Sequence, residues 1–310
     1  MNAAPRIHVT VPQMQLHIRL VAACLAGVLV SACAIDVDTE GYIERDEKRF
    51  AAAGVVELQL TTFDGAIDIR GWDRDEIVVE LEKRGNDRDA VEQMQVLAEQ
   101  KGSVVTVDVR YSGSSTYIGI GTFTSPRARL TVSAPRGLHI NARSGDGGIT
   151  VDRMHGRLEL KTLDGAVRLI ETTGETLVET GDGSLRLEDV SGRIEARTDD
   201  GTVRVSGTPS VLRVRSGDGS IVLRIRRGTV MTDDWLVTTT DGSIEAELPD
   251  DLNALIEAEP GSDSRARSDL DLADREGGTR DQRTLRGRLG TGGPRLTLRT
   301  GDGSIRLTHY

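Results

Sequence analysis

The stretch from Gly145 to Ile225 decides the fold, because it divides into consecutive nine-residue units: GDGGITVDR, MHGRLELKT, LDGAVRLIE, TTGETLVET, GDGSLRLED, VSGRIEART, DDGTVRVSG, TPSVLRVRS and GDGSIVLRI. Every second unit carries an Asp-Gly pair, so the pairs recur at a constant interval: Asp146-Gly147, Asp164-Gly165, Asp182-Gly183, Asp200-Gly201 and Asp218-Gly219. Each unit predicts a turn followed by a short strand.

The strands show an apolar residue at every second position, which indicates one buried and one solvated face. The predicted inward positions are Ile149, Val151, Leu158, Leu160, Val167, Leu169, Leu185, Leu187, Ile194, Val203, Val205, Leu212, Val214, Ile221 and Leu223. Two consecutive units make one coil. Such a coil buries too few side chains to stand alone, so it must stack on its neighbours.

The sequence therefore predicts an all-β fold, a single-stranded β-helix or β-solenoid of nine-residue half-coils. The alternative is an antiparallel meander, since Asp-Gly between alternating strands is also a hairpin signal. The constant 18-residue spacing favours the solenoid, in which equivalent positions lie one above another.

The Asp-Gly pairs are interpreted as turn residues. We expect each glycine to adopt a positive φ, and each aspartate side chain to hydrogen-bond its own backbone. The alternative is a calcium ladder like that of the repeat G-G-x-G-x-D-x-U-x. Here the paired glycines and the second glycine before the aspartate are missing, so we expect neither a metal nor a cofactor.

The flanking segments complete a predicted domain map. Residues 136–310 form the solenoid, with an irregular insertion at 260–293 that is expected to be a protruding loop or hairpin. Residues 54–135 supply N-terminal strands and a capping helix over Asp87–Gln100, which Asp87 can cap. Residues 34–53 are a charged tether.

Residues 1–33 have the layout of a bacterial lipoprotein signal. They contain two arginines, no acid, and an apolar run from Leu20 to Val30 that is too short to span a bilayer. The run closes on Val-Ser-Ala-Cys, which resembles a lipobox and implies cleavage after Ala32 and acylation of Cys33. Met1 and Met14 are both credible starts, and an ordinary cleaved signal is the alternative. The expected location is the cell envelope, with membrane attachment through the lipid.

The charge of the chain argues against nucleic acid as a partner, because the formal net charge is −10. One row of cations interrupts the acidic surface: Arg168, Arg186 and Arg204 occupy the same outward place in successive coils. This row could hold an acidic envelope glycan or a protein partner. The alternative is a solvated face neutralised by neighbours such as Asp152 and Glu188.

Catalytic signals are few, and no catalytic residue is assigned. Outside the signal the histidines are His139, His155 and His309, which are well separated, and both cysteines lie within the signal itself. The serines of the GDGS tetrapeptides repeat with the scaffold and are interpreted as turn residues. A carbohydrate-active enzyme remains the alternative, since paired carboxylates across a groove can cleave glycosides.

The motifs FDGAIDIRGWD at residues 63–73, the T-x-D-G-x-I-x-V units and the final GDGSIRL resemble the bacterial family known as "putative adhesin", a domain of unknown function. The resemblance covers about residues 45 to 310. It implies an envelope-exposed β-solenoid that acts in binding, adhesion, surface structure or envelope stress, and it implies no activity.

Overall fold

The structure, a computed structural model, describes residues 41–113, 125–277 and 283–310, and its compact unit runs from Tyr42 to Tyr310. These residues form a 23-stranded sheet and one helix of five residues, so the all-β expectation is confirmed. In the part of the chain described, no helix has the length and apolar character needed to cross a membrane. The predicted signal peptide, with Ala32 and Cys33, lies outside the described residues.

The elements before the regular block are β1 (Tyr42–Ala51), β2 (Glu57–Thr62), β3 (Ile67–Trp72), β4 (Glu76–Gly85), α1 (Arg88–Glu92), β5 (Met94–Lys101), β6 (Val104–Tyr111), β7 (Arg127–Pro135) and β8 (His139–Ser144). The regular block contains β9 (Ile149–Asp152), β10 (His155–Lys161), β11 (Val167–Ile170), β12 (Thr173–Thr180), β13 (Leu185–Thr198), β14 (Val203–Arg215) and β15 (Ile221–Ile225). After it come β16 (Trp235–Thr239), β17 (Ile244–Leu248), β18 (Ala254–Glu259), β19 (Ala266–Ser268), β20 (Ala273–Gly277), β21 (Leu285–Leu289), β22 (Arg295–Thr300) and β23 (Ile305–His309).

Strands of the regular block pair in parallel with the strand two units later. Val167 of β11 is aligned with Leu185 of β13, and Thr173 of β12 with Ser191 of β13. Two parallel ladders result. In spatial order, ladder 1 contains β7, β3, β9, β11, the first parts of β13 and β14, β15, β17, β23 and β19. Ladder 2 contains β6, β2, β8, β10, β12, the second parts of β13 and β14, β16, β22 and β18. Parallel pairing is not the pattern of an antiparallel meander.

The inward side chains of both ladders belong to one hydrophobic core. Every residue that the alternating pattern assigned to the interior is buried, including Val167, Leu169, Leu185 and Leu187. Removing this apolar surface from water is the main stabilising contribution of each coil. The outward side chains of ladder 1 form the exposed face on which the arginine row lies.

The first and last parallel coils of the sequence do not lie at the ends of the parallel array. At the N-terminal end, β2 lies between β6 and β8, and β3 lies between β7 and β9. At the C-terminal end, β22 lies between β16 and β18, and β23 lies between β17 and β19. The first and last coils in the sequence are therefore interior coils.

Antiparallel strands cover both ladders at the N-terminal end of the array and ladder 2 at its C-terminal end. At the N-terminal end β5 pairs with β6, and β1 pairs with β4, which pairs with β7. At the C-terminal end β21 pairs with β18 and with β20. These strands satisfy backbone groups that an open edge would leave unpaired.

The helix predicted over Asp87–Gln100 is wrong beyond Glu92. Asp87 caps it as expected, since Asp87 Oδ1 accepts from the Ala90 N–H at 2.8 Å, but α1 ends at Glu92 and β5 begins at Met94. Met94 and Ala98 lie on one face of a helix and also on one face of a strand. Pairing with the open edge of β6 decides in favour of the strand.

The tether predicted at 34–53 is also wrong over Tyr42–Ala51, which form β1 and pair along their whole length with β4. The charges that suggested a tether are those of an edge strand. Glu44 pairs with Lys83, and Arg45 pairs with Glu82. Charged side chains are common on edge strands because they discourage further pairing.

The segment 260–293 is partly built into the array. Gly261 packs against the turn at Gly301 and Asp302, and β19 pairs with β23, so residues 261–268 continue the outermost coil. The antiparallel strands β20 and β21 follow, and residues 278–282 between them lie outside the described residues.

Candidate functional site

A buried row of hydroxyls, not predicted from the sequence, holds the Asp-Gly turns together. Thr198 Oγ1 accepts from the Gly201 N–H of its own turn at 3.1 Å and lies 2.9 Å from Gly183 O of the preceding turn. The same position before each Asp-Gly turn of the array is a buried Thr or Ser: Thr62, Ser144, Thr162, Thr180, Thr198, Ser216, Thr239 and Thr300. We call these residues the hydroxyl row. It links each turn to the turn stacked beneath it.

The turn glycines are required for a different reason from the one predicted. Gly147, Gly165, Gly183, Gly201 and Gly219 do not have a positive φ, so that expectation is wrong. A Cβ on Gly183 would lie 2.0 Å from Gly165 O, and a Cβ on Gly201 would lie 2.0 Å from Gly183 O. Glycine is needed because the stacked turns bring backbone against backbone.

The aspartates of these turns point to solvent and do not close the turns. Among the described residues, Asp146, Asp164, Asp182, Asp200 and Asp218 form no side-chain hydrogen bond and no ion pair, because the hydroxyl row caps the turn instead. Desolvation raises the pKa of the Asp200 carboxyl, and the charges of Asp218 and Asp182 raise it further. Within the described chain no three His, Cys, Asp or Glu side chains are grouped so that they could hold a metal ion.

The arginine row lies on the outward face of ladder 1 as the repeat predicted. Arg168 is aligned with Arg186, and Arg186 with Arg204. Glu188 binds two of the three: its carboxylate lies 2.8 Å from Arg168 Nη2 and 2.6 Å from Arg186 Nε, and these hydrogen bonds lower its pKa. Arg204 makes no ion pair with any described residue. It lines an open cavity of about 290 Å³ together with Arg186 and Arg224.

A row of outward hydroxyls runs beside the arginines. It consists of the residues that follow five of the Asp-Gly pairs, four of them exposed and Thr202 half-buried: Ser184, Thr202, Ser220, Ser243 and Ser304. Ser243 Oγ and Ser304 Oγ are 3.4 Å apart, so the row continues across the junction between β17 and β23. The outward face of ladder 1 thus presents guanidinium and hydroxyl groups at the spacing of adjacent strands.

His309 is not available as a catalytic base. Its Nδ1 is 2.6 Å from Asp250 Oδ1, and its Nε2 is 3.0 Å from Asp269 O, so both ring nitrogens are engaged. The hydrogen bond to Asp250, and then that to Asp269, raises the pKa of the imidazole. The other two histidines, His139 and His155, begin different strands of ladder 2. The three histidines do not form one site.

The tryptophans do not provide a platform for stacking sugars. Trp235 is buried, and its Nε1 donates to Ser210 O at 3.2 Å. Trp72 is half-buried, its Nε1 donates to Glu76 O, and the guanidinium of Arg74 lies 4.9 Å from its ring centroid. A glycoside-cleaving groove normally places acids and aromatic rings in one cleft, and these two rings are already covered.

Comparison with known proteins gives one family match. Residues 55–308 match the family model described as Toastrack DUF4097. No curated protein matches the chain.

The solved structures that match this chain include three bacterial proteins. A "putative adhesin" from Parabacteroides merdae is 12% identical with a TM-score of 0.49, and the match covers 86% of this chain and 97% of that one. A "putative adhesin" from Parabacteroides distasonis is 14% identical with a TM-score of 0.44, covering 87% and 98%. A "putative lipid binding protein" from Parabacteroides distasonis is 13% identical with a TM-score of 0.36, covering 85% and 96%.

Proposed function

Because the chain belongs to the Toastrack DUF4097 family, we propose that it is a non-catalytic binding module held at the cell envelope by a lipid on Cys33. Its working surface is the outward face of ladder 1. The ligand is an extended envelope polymer or protein that contacts several coils at once.

The observation that carries this proposal is the register of ladder 1. Arg168, Arg186 and Arg204 occupy aligned positions on adjacent strands, and the outward hydroxyls run parallel to them. Adjacent strands are about 4.8 Å apart, so the face repeats the same donors at short, regular intervals. A repeating surface suits a repeating ligand, because several weak contacts then act together.

The lipid anchor is supported by the sequence of the predicted signal. A short apolar run ends at Ser31-Ala32-Cys33, and the only other cysteine is Cys24 within that run. The anchor would present ladder 1 at the envelope without a membrane-spanning segment. A role in envelope stress would follow from ligand binding at this surface.

The anchor is tested by acyl labelling of the full chain in cells. Cys33→Ala should abolish labelling and prevent normal processing, whereas the matched control Cys24→Ala should retain both. Labelling of Cys33→Ala at the wild-type level would contradict the lipoprotein proposal.

The binding face is tested with the full chain and immobilised envelope polysaccharide. Arg204→Glu reverses a charge on ladder 1 that no described carboxylate neutralises, and it should weaken binding about tenfold, the equivalent of one charge-assisted contact. Arg213→Glu, on the exposed face of ladder 2, is the control and should bind as the wild type does. Equal loss in both variants would show that the face of ladder 1 has no special role.

A further inference from the structure

Three arginines meet at the C-terminal end of ladder 1. Arg267 on β19 is aligned directly with Arg306 on β23, and Arg265 immediately precedes β19. All three are exposed, and together with Asp263, Ser264 and Ser304 they line an open cavity of about 500 Å³. We call this the end cavity.

The end cavity differs from most of the same face because no carboxylate forms an ion pair with its arginines. Elsewhere on ladder 1 the arginines other than Arg204 are paired: Arg168 and Arg186 with Glu188, and Arg224 with Glu247. Arg265, Arg267 and Arg306 form no ion pair with any residue that the structure describes. Like charges placed directly opposite each other on neighbouring strands are destabilising unless an anion lies between them.

Two carboxylates near the end cavity leave it with a positive excess. Asp263 is exposed on the cavity wall, and Glu245 is aligned with Arg306 on the opposite side, on β17. Neither approaches a cavity arginine closely enough to form an ion pair. Three guanidinium groups therefore face one lining carboxylate. The end cavity thus concentrates positive charge, although the chain as a whole is acidic.

The donor geometry suits a tetrahedral oxyanion. A guanidinium group presents its N–H donors as a fork that matches two oxygens of a phosphate or sulfate. Ser304 adds an exposed hydroxyl beside Arg306. The Ser264 hydroxyl donates to Asp302 O at 2.9 Å, and this bond holds the turn that carries Arg265.

We infer that the end cavity binds the phosphate or sulfate groups of an anionic polymer. This inference deepens the proposed binding function by naming its ligand chemistry. A polymer is favoured over a lipid headgroup because the end cavity is far from β1, the first described strand after the proposed lipid site at Cys33. β1 lies beyond β4 and β7 at the N-terminal end, and eleven strand spacings, or roughly 50 Å, separate it from β19.

The test measures binding of labelled poly(glycerol phosphate) to the full chain in neutral detergent, with inorganic phosphate as a competitor and dextran as an uncharged control. Arg267→Gln with Arg306→Gln should weaken binding at least about tenfold, because two charge-assisted contacts are lost. The matched control, Arg213→Gln with Arg215→Gln on the exposed face of ladder 2, should bind as the wild type does. Asp263→Asn should tighten binding, because it removes a repelling charge. This gain would not follow from a merely structural role.

The double variant is expected to fold, since its side chains are exposed and their mutual repulsion is removed. Its melting temperature without ligand should equal or exceed that of the wild type. Equal affinity in wild type and double variant would overturn the inference, and so would stronger binding to phosphatidylglycerol vesicles than to the polymer. Either result would leave the tests with Cys33 and Arg204 to decide the proposed function separately.

Discussion

The regular block and the C-terminal end of the array use the same turn contact at very different sequence separations. In the regular block a Cβ on Gly183 would meet Gly165 O at 2.0 Å, and these two glycines are close in the sequence. At the C-terminal end a Cβ on Gly303 would meet Gly242 O at the same 2.0 Å, although five further strands, β18 to β22, lie between β17 and β23 in the chain. The turn motif therefore specifies how two coils stack, and does not specify which coils are neighbours.

The strongest test of this equivalence is to fill the space between stacked turns. Gly183→Val and Gly303→Val should each lower the free energy of unfolding by about 3 kcal/mol, because the new side chain collides with backbone that cannot move aside. Chemical denaturation of the full chain measures the loss.

Gly137→Val is the control for both variants, because a Cβ at Gly137 meets nothing within 4 Å. It should be close to neutral. A large cost at Gly183 with no cost at Gly303 would show that the C-terminal turn does not stack as the regular ones do.

A smaller effect is expected from the hydroxyl row. Thr198→Val and Thr300→Val keep the side-chain shape but leave the N–H of Gly201 or Gly303 without its acceptor. Each should cost about 2 kcal/mol, the penalty for an unsatisfied buried polar group.

The control for the hydroxyl row is Thr131→Val, an outward-facing residue of β7 that should change stability little. Thermal melting with and without each substitution gives the comparison. If Thr300→Val were as neutral as Thr131→Val, the shared role of the row at the two regions would be excluded.

The smallest expected effect is a pH dependence of stability at the C-terminal end of the array. His309 on β23 bonds Asp250, which follows β17, and the carbonyl of Asp269, which follows β19. Its pKa is raised above the usual value of 6.5 in the folded state, so protonation favours folding. The contribution should be complete below pH 6.5 and should disappear as the pH rises through the folded-state pKa.

Melting of wild type and His309→Gln at about pH 5 and about pH 9 measures this contribution. The melting temperature of the wild type should exceed that of the variant at the lower pH, and this difference in melting temperature should shrink at the higher pH. A difference that grew with pH would contradict the assigned hydrogen bonds.

Much of the regular block could be predicted because its alternation has one simple cause. Val167, Leu169 and the equivalent residues alternate with polar ones, and each apolar residue is buried. Thr198 continues the same inward phase after Ile194 and Ala196, so the strand period itself could have identified the hydroxyl row. The hydroxyl row is nevertheless easy to misassign, because threonine near an Asp-Gly pair also suggests an exposed turn.

The ends could not be predicted in the same way. Met94 and Ala98 share a face in a helix and in a strand, and the open edge of β6 decides between the two. The end cavity requires β19 beside β23, which depends on the order of the coils. Identical turns at Gly242 and Gly303 carry no information about that order.

The interior position of β22 and β23 has a consequence for how the protein is made. A chain emerging from its N-terminus delivers β18 and β19 before residues 295–309, yet these two strands pair in parallel only with β22 and β23. The outermost coil therefore has no parallel partner until the final strands arrive and insert beside it. Contacts between distant parts of a chain slow folding, because the loop must close before the contact forms. Completion of the array is thus a late event that waits for residues 295–309.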